Sequence, residues 1–211
     1  THTSGYRPDF DLGEKWTGRD GMLAALKKEK LRNPPGTRFV YSDIGFIVLA
    51  EVVQRVSSQG VSQFFFNASR GIFKVGSSDG TTFFSPWTYS MMELPGADRT
   101  AFGDVTADVR LFSRNRVNIA PTENLRGQQN YLGSKFQGEQ AEGEQMLRGQ
   151  VHDPTAFRME GIAGHAGLFS TAYDLAILSQ VLLNSGAYNG HRFFKKETIQ
   201  LFTAYQSPHS R

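Results

Sequence analysis

Residues 76–80 read Gly-Ser-Ser-Asp-Gly, which fits G-x-S-x-G, a pattern that can present a serine nucleophile. When such residues form a sharp turn from a strand into a helix, the serine hydroxyl is exposed for attack on a carbonyl. The residues that follow, 81–84, are instead typical of a strand. A hairpin turn between strands at 72–75 and 81–84 is therefore the favoured interpretation, and Ser78 as a nucleophile is the alternative.

A second group that could do chemistry comprises His152, Asp153 and His165. Imidazole and carboxylate groups bind zinc and transfer protons, so a metal site or part of a triad is conceivable. The spacing does not match a paired-ligand pattern such as H-E-x-x-H, and isolated histidines are more often hydrogen-bonded surface or core residues. We expect no metal and no cofactor. The chain has no cysteine, which excludes disulfides, thiolate catalysis and cysteine-ligated metals.

Three further segments, taken in their order along the chain, indicate a family. Residues 1–5 read Thr-His-Thr-Ser-Gly, and residues 35–46 read Pro-Gly-Thr-Arg-Phe-Val-Tyr-Ser-Asp-Ile-Gly-Phe. Residues 164–171 read Gly-His-Ala-Gly-Leu-Phe-Ser-Thr and are soon followed by Asp-Leu-Ala. Together they resemble the loop after the nucleophile helix, the tyrosine motif and a helix entry of class C-type serine β-lactamases and their penicillin-binding-protein and esterase relatives. The resemblance spans most of the chain outside residues 86–120.

This resemblance implies an α+β fold of the β-lactamase/transpeptidase type, in which a helical domain lies beside an antiparallel sheet and the cleft lies between them. Residues 1–211 are then expected to form a single partial domain, mostly the helical lobe with a few short strands, truncated at both ends. Its parts would be a loop, helix and tyrosine-motif segment at 1–60, an irregular loop-rich region at 61–160 and a helical region at 161–211.

The resemblance also implies roles for individual residues. A serine of the family attacks a carbonyl to give an acyl-enzyme, a lysine one helical turn later helps to deprotonate it, and the motif tyrosine, here Tyr41, relays the proton. Asp43 stands where many relatives have an asparagine that binds the substrate, and an ionised carboxylate cannot donate hydrogen bonds as that amide does. His165 lies in the string His-Ala-Gly and would border the cleft as a substrate contact.

Two family motifs do not occur in this sequence. None of the serines has a lysine three positions later, and no K-T-G or H-x-G is expected on a late strand, since His165-Ala166-Gly167 fits H-x-G but leads into a predicted helix. The resemblance therefore predicts a serine hydrolase that acts on a small-molecule ester, β-lactam or peptide. This chain alone is expected to be inactive. The alternatives are a non-catalytic β-lactamase-like binding module, a carboxylesterase that uses Ser78, and a structural remnant with neither binding nor turnover. By resemblance the protein would be periplasmic or secreted.

Hydrophobic spacing predicts the elements that must position these residues. A helix over residues 21–32 ends before Asn-Pro-Pro-Gly, and a longer helix at 44–56 follows Ser42 and Asp43, either of which could cap it. Its predicted buried face carries Ile44, Val48, Val52 and Val56, which recur every four residues.

Two helices are predicted near the end of the chain. One covers residues 172–184, with Thr171 as its cap and with Leu175, Leu178 and Leu182 as its buried stripe, and the other covers 196–204. Residues 1–19 lack periodicity and are expected to form a surface loop, as are the residues before the helix at 172–184. Residues 86–150 are expected to be a long irregular connection.

Composition excludes several classes of protein. The net charge of +3 comes from scattered side chains, and the basic cluster at 27–32 is interrupted by Glu29, which favours a solvated helix face over nucleic-acid binding. No stretch reaches the roughly 18 apolar residues that a membrane helix needs, and the first residues are not a signal peptide. The sequence leaves the oligomeric state open.

Overall fold

The structure, a computed structural model, describes residues 1–76, 83–84, 120–124 and 146–206. The described elements follow one another along the chain as helix α1 (Gly18–Leu26), helix α2 (Asp43–Ser57), helix α3 (Val61–Gly76), strands β1 (Phe83–Phe84), β2 (Pro121–Asn124) and β3 (Met146–Arg148), helix α4 (Pro154–Arg158), strand β4 (Leu168–Phe169), helix α5 (Ala172–Leu183), strands β5 (Ala187–Tyr188) and β6 (His191–Arg192), and helix α6 (Lys196–Thr203).

The first core cluster joins the N-terminal segment to α1 and α2. Its buried members are Phe10, Met22, Ala25, Ile44 and Ile47. The helix predicted at 44–56 is confirmed, whereas α1 begins before residue 21 and ends at Leu26, short of residue 32. Because Phe10 is buried, the expected surface loop at 1–19 is in part a component of the core.

The buried face of α2 differs from the expected one. Ile44, Ile47 and Glu51 are buried, while Val52 and Val56 are exposed. A helix turns by about 100° per residue, so a strict four-residue repeat drifts by about 40° at each step and leaves the buried face. Steps of three and then four residues keep the side chains on one face, which is what the structure has.

The buried stripe of α5 also differs from the expected one. This helix buries Ile177 and Val181, whereas Leu175 and Leu182 are exposed and Leu178 packs at the edge of the core. The buried set is thus displaced by one residue, which is about a quarter of a turn. The helices predicted at 172–184 and 196–204 are themselves confirmed by α5 and α6.

The strand predicted at 72–75 is wrong, because these residues end the sixteen-residue helix α3. Ile72 forms a second core cluster with Ile177 and Val181 of α5, and Phe65, seven residues before Ile72 on the helix, packs against that cluster. Burial against a neighbouring helix has outweighed the strand preference of a short apolar run. The region 61–160, expected to be irregular, therefore contains α3 and also α4.

The described strands form antiparallel pairs. β1 does fall within the strand predicted at 81–84, but it pairs with β4, with Phe83 opposite Phe169. β4 itself lies in a segment expected to be a loop. β5 and β6 form a hairpin that the sequence analysis missed, closed by Asn189 and Gly190 at φ values of 46° and 78°. Asn-Gly is the pair that such a two-residue turn favours.

A third core cluster, of Val151, Ala156 and Ala163, is packed beside the first, and Met159 contacts both. Within the described residues, the helices are all too short or too polar to cross a bilayer.

Candidate functional site

The N-terminal end of α2 is fixed by Ser42. Its hydroxyl oxygen accepts a hydrogen bond from the Gly45 amide at 3.2 Å and donates one to the Arg7 carbonyl at 2.7 Å. The cap satisfies one of the free amides of the first helical turn, and Ser42 is fully buried. Of the two capping residues that the sequence allowed, Ser42 is therefore the cap, and Asp43 is the first helical residue.

The Thr-His-Thr-Ser-Gly segment runs beside the tyrosine motif. The Gly36 amide donates to the Thr3 carbonyl at 2.8 Å, and the Val40 amide donates to the His2 carbonyl at 2.8 Å. Gly45 faces Ser4, whose hydroxyl oxygen would lie 3.3 Å from a Cβ placed on that glycine. The first and second motifs thus form one backbone-bonded unit at the start of α2.

The third motif reaches the same helix end through Gly164. A Cβ on this residue would lie 2.7 Å from the Ala50 Cβ, 2.9 Å from the Phe46 carbonyl carbon and closer still to the Phe46 oxygen. Real side chains do not approach so closely, so only glycine allows this contact between the segment and α2. Consequently all three segments that carry the family resemblance meet at the first turns of α2.

Tyr41 lies at the protein surface where these three segments meet. It is 62% exposed, and within the part of the chain that the structure describes its hydroxyl makes no hydrogen bond. Its ring stacks on His2 with centroids 4.3 Å apart and planes inclined by 29°. Phe39 and Phe46 contact the same histidine ring at 5.6 and 5.2 Å. The phenol is therefore accessible to a ligand and supported by an aromatic cluster, defined as His2, Phe39, Tyr41 and Phe46.

Asp43 is partly buried beside other charged groups. Burial raises the pKa of its carboxyl, the charge of His165 opposes that rise, and the carboxylates of Asp9 and Asp153 add to it. His2 contributes a small opposing effect. A carboxyl whose charged form is disfavoured in this way keeps a proton to higher pH, and in its neutral form it can donate a hydrogen bond as an asparagine amide would.

His165 is placed beneath the surface. Its side chain is only 3% exposed, and its Nε2 lies 2.9 Å from the Asp153 Oδ1. Its Nδ1 is buried and has no hydrogen-bond partner among the described residues. Asp153 also caps α4, since its Oδ1 accepts from the Ala156 amide at 2.7 Å. Burial would raise the pKa of Asp153, but the hydrogen bonds from His165 and Ala156 outweigh it and lower that pKa.

The sequence predicted Tyr41, Asp43 and His165 as site residues, and the structure places His165 near enough to Asp43 for its charge to oppose the rise in the Asp43 pKa. The sequence analysis missed His2, although the first motif contains that residue. Ser78 lies outside the described residues. In the described parts of the chain, histidine and acidic side chains form no group of three or more that could hold a metal ion.

A surface cavity of about 370 Å³ is lined by residues Leu12 to Thr17 and by Arg158, none of which belongs to the three motifs. The Arg158 guanidinium covers the Trp16 ring at 4.0 Å and donates to the carbonyls of Asp11 and Glu14. These contacts join α4 to the N-terminal segment, and the cavity lies outside the three motif segments.

A β-lactamase family model matches residues 1–209. An N-acetylmuramyl-L-alanine amidase of Bacillus subtilis is 30% identical over 187 residues, covering 88% of this chain and 35% of the relative. A putative D-alanyl-D-alanine carboxypeptidase of Escherichia coli is 28% identical over 188 residues, covering 86% of this chain and 35% of the relative.

A putative D-alanyl-D-alanine carboxypeptidase of Salmonella schwarzengrund is 29% identical over 188 residues. The chain spans about a third of the length of the curated relatives it matches. The resemblance drawn from the three motifs is confirmed by the family model, which covers nearly every residue. With its motif segments gathered at one helix end, this chain belongs to the β-lactamase family.

Proposed function

We propose that this chain carries the tyrosine side of an acyl-transfer site in a serine hydrolase that cleaves an ester or amide carbonyl through an acyl-enzyme. The observation that supports the proposal most is the position of Tyr41, exposed and ring-stacked where the three motif segments converge. A phenol that is to relay a proton must be both reachable by substrate and held in place. Tyr41 meets both requirements.

The proposed substrates are peptidoglycan-type peptides, with β-lactams and simple esters as smaller analogues. The names of the relatives, an amidase of N-acetylmuramyl-L-alanine and carboxypeptidases of D-alanyl-D-alanine, support this class of substrate. Asp43, at the place of a substrate-binding asparagine, is proposed to contact the substrate through its carboxyl group, which can accept a hydrogen bond from a substrate N–H. The buried His165 is proposed to act on substrate binding through the charge it presents to Asp43.

The serine and lysine of the family's nucleophile motif have no counterpart in this sequence. Since none of the serines is followed three positions later by lysine, we propose that the 211 residues alone do not form an acyl-enzyme. A serine and lysine of that spacing elsewhere in the product of the gene would complete the site. Tyr41 would then take its place beside the lysine ammonium, which favours the phenolate.

The test is labelling with a fluorescent penicillin. We expect the complete gene product, whatever its length, to form a covalent adduct on a serine followed three positions later by lysine. We expect the 211-residue chain to form none. Hydrolysis of a D-alanyl-D-alanine peptide by the gene product, but not by the chain, would support the proposed substrate. A gene product that neither forms the adduct nor hydrolyses the peptide overturns the proposal.

A second candidate, a non-catalytic binding module, is favoured by the absence of the serine and lysine pair. It predicts saturable binding of a penicillin or an acyl-D-alanine ligand to the chain, measured by calorimetry, and no turnover by the gene product. The carboxylesterase alternative predicts that a fluorophosphonate labels Ser78, and a Ser78→Ala chain labelled to the same extent would exclude it.

A further inference from the structure

The backbone of His2 adopts a conformation that non-glycine residues seldom take. Its φ of 54° lies in the left-handed region. The surrounding chain holds it there, because its carbonyl accepts the Val40 amide at 2.8 Å and the neighbouring Thr3 carbonyl accepts the Gly36 amide at 2.8 Å. Such conformations persist only where neighbouring contacts determine them, and they cluster at functional sites.

This conformation directs the imidazole ring to the start of α2. Its Nδ1 lies 3.0 Å from the Ser42 amide, which donates to it. An imidazole nitrogen accepts an amide hydrogen through its lone pair, so Nδ1 is the acceptor in this bond. One edge of the ring is therefore anchored to the residue that caps α2.

The face of the same ring supports Tyr41. The two centroids are 4.3 Å apart with a 29° inclination, while Phe39 and Phe46 contact the imidazole from other directions. Exposed side chains exchange rotamers on the picosecond to nanosecond timescale unless a contact restrains them. The stack on His2 supplies that restraint for a phenol that is otherwise 62% exposed.

We infer that His2 is a positioning residue for Tyr41: its ring, fixed by the Ser42 amide, holds the phenol in the orientation that acyl transfer needs. The inference rests on the proposed function of Tyr41. A misplacement of about 1 Å in a reacting group can reduce a rate by on the order of a hundredfold, which is why an anchored support would matter at this position.

Three substitutions separate the contributions of the ring and the nitrogen. His2→Phe keeps a ring but removes the acceptor, and His2→Asn keeps an acceptor and tolerates the left-handed backbone but removes the ring. His2→Ala removes both. His191→Ala is the matched control, because His191 is exposed on the β5–β6 hairpin, outside the aromatic cluster.

The primary measurement is NMR of the folded 211-residue chain with labelled tyrosine. We expect the Tyr41 ring resonances in His2→Ala and His2→Asn to lose their ring-current shift and their order, with part of both kept in His2→Phe. Tyr6 and Tyr188 serve as internal references that should not change. Tyr41 resonances in His2→Asn that match those of the unsubstituted chain would overturn the inference, even if His2→Ala fails to fold.

Kinetics of the complete gene product give the second readout. We expect His2→Asn to lower kcat by about tenfold or more with little change in KM, and His191→Ala to leave both unchanged. A fall confined to KM would overturn the positioning role. If Tyr41→Phe is fully active, the proposed function fails, but the NMR result on Tyr41 order is unaffected, so the two failures can be told apart.

Discussion

Substituting Gly164 tests whether the third motif must touch α2. A methyl group at this position would lie 2.7 Å from the Ala50 Cβ and 2.9 Å from the Phe46 carbonyl carbon, and two of its three nearest atoms belong to the helix backbone. Because that backbone cannot rotate away as a side chain can, the segment itself must shift. Overpacking of a rigid contact costs about 1–3 kcal/mol, and we expect Gly164→Ala to fall in the upper half of that range.

Gly60→Ala is the matched control. Neither glycine has a positive φ, but a Cβ on Gly60 would meet no atom within 4 Å. Replacing a glycine where there is room stabilises a protein by about 0.4–1 kcal/mol through the unfolded state, and the lower preference for alanine at the residue before a helix offsets this, so Gly60→Ala should be close to neutral. Urea unfolding of both variants measures the difference. Equal stability of the two would refute the close approach of the third motif to α2.

The remaining predictions concern charged groups. Burial would raise the pKa of Glu51, but hydrogen bonds from Arg55 and Arg19 lower it. The stability that this carboxylate contributes is therefore present above its unfolded pKa of about 4.3, and it is lost as the pH falls through the lower folded pKa. At neutral pH, Arg19→Ala should cost about 1–2 kcal/mol, a range already reduced because the arginine is 43% exposed. Arg55→Ala should cost only about 0.5 kcal/mol, because that side chain is 67% exposed. Urea unfolding that finds Arg55→Ala less stable than Arg19→Ala would contradict this ranking of the two ion pairs. Burial raises the pKa of Asp43, so the folded state holds its proton to higher pH than the unfolded state and stability falls as the pH rises from about 3.9 through the folded value. Asp43→Asn should therefore raise the thermal midpoint at neutral pH and lose that advantage near pH 3. Asp153 has a lowered pKa, so Asp153→Asn should be destabilising at neutral pH and progressively less so below about pH 4, as followed by urea midpoints across pH.

The sequence was most informative where local chemistry decides the structure. The cap at Ser42 and the helix it starts follow from a hydroxyl beside an apolar run, and Thr171 caps α5 in the same way by accepting from the Asp174 amide at 3.1 Å. The three motifs also predicted which segments matter. Their convergence on α2 could not be derived from spacing, because it depends on contacts such as that of Gly164 with Phe46, more than a hundred residues apart.

Tertiary packing explains what the sequence analysis missed. A helix replaces the strand expected at 72–75 because Ile72 gains a partner face on α5, which is a long-range effect. The burial of His165 depends on Asp153, whose carboxylate is fixed by the helix it caps. For His2, a signal was present in the first motif, but its role emerges only from the ring stack with Tyr41.

The contribution of Tyr41 to catalysis can be measured against a matched tyrosine. Tyr41 and Tyr173 are 62% and 61% exposed, but only Tyr41 lies where the three motifs meet. In the complete gene product, hydrolysis of a D-alanyl-D-alanine peptide by Tyr41→Phe should be slower than that of the unsubstituted enzyme by about 10² to 10⁴-fold in kcat, the usual contribution of a positioned proton-transfer group. Tyr173→Phe should be unchanged. A Tyr41→Phe enzyme as fast as Tyr173→Phe would contradict the assignment of Tyr41 to the acyl-transfer site.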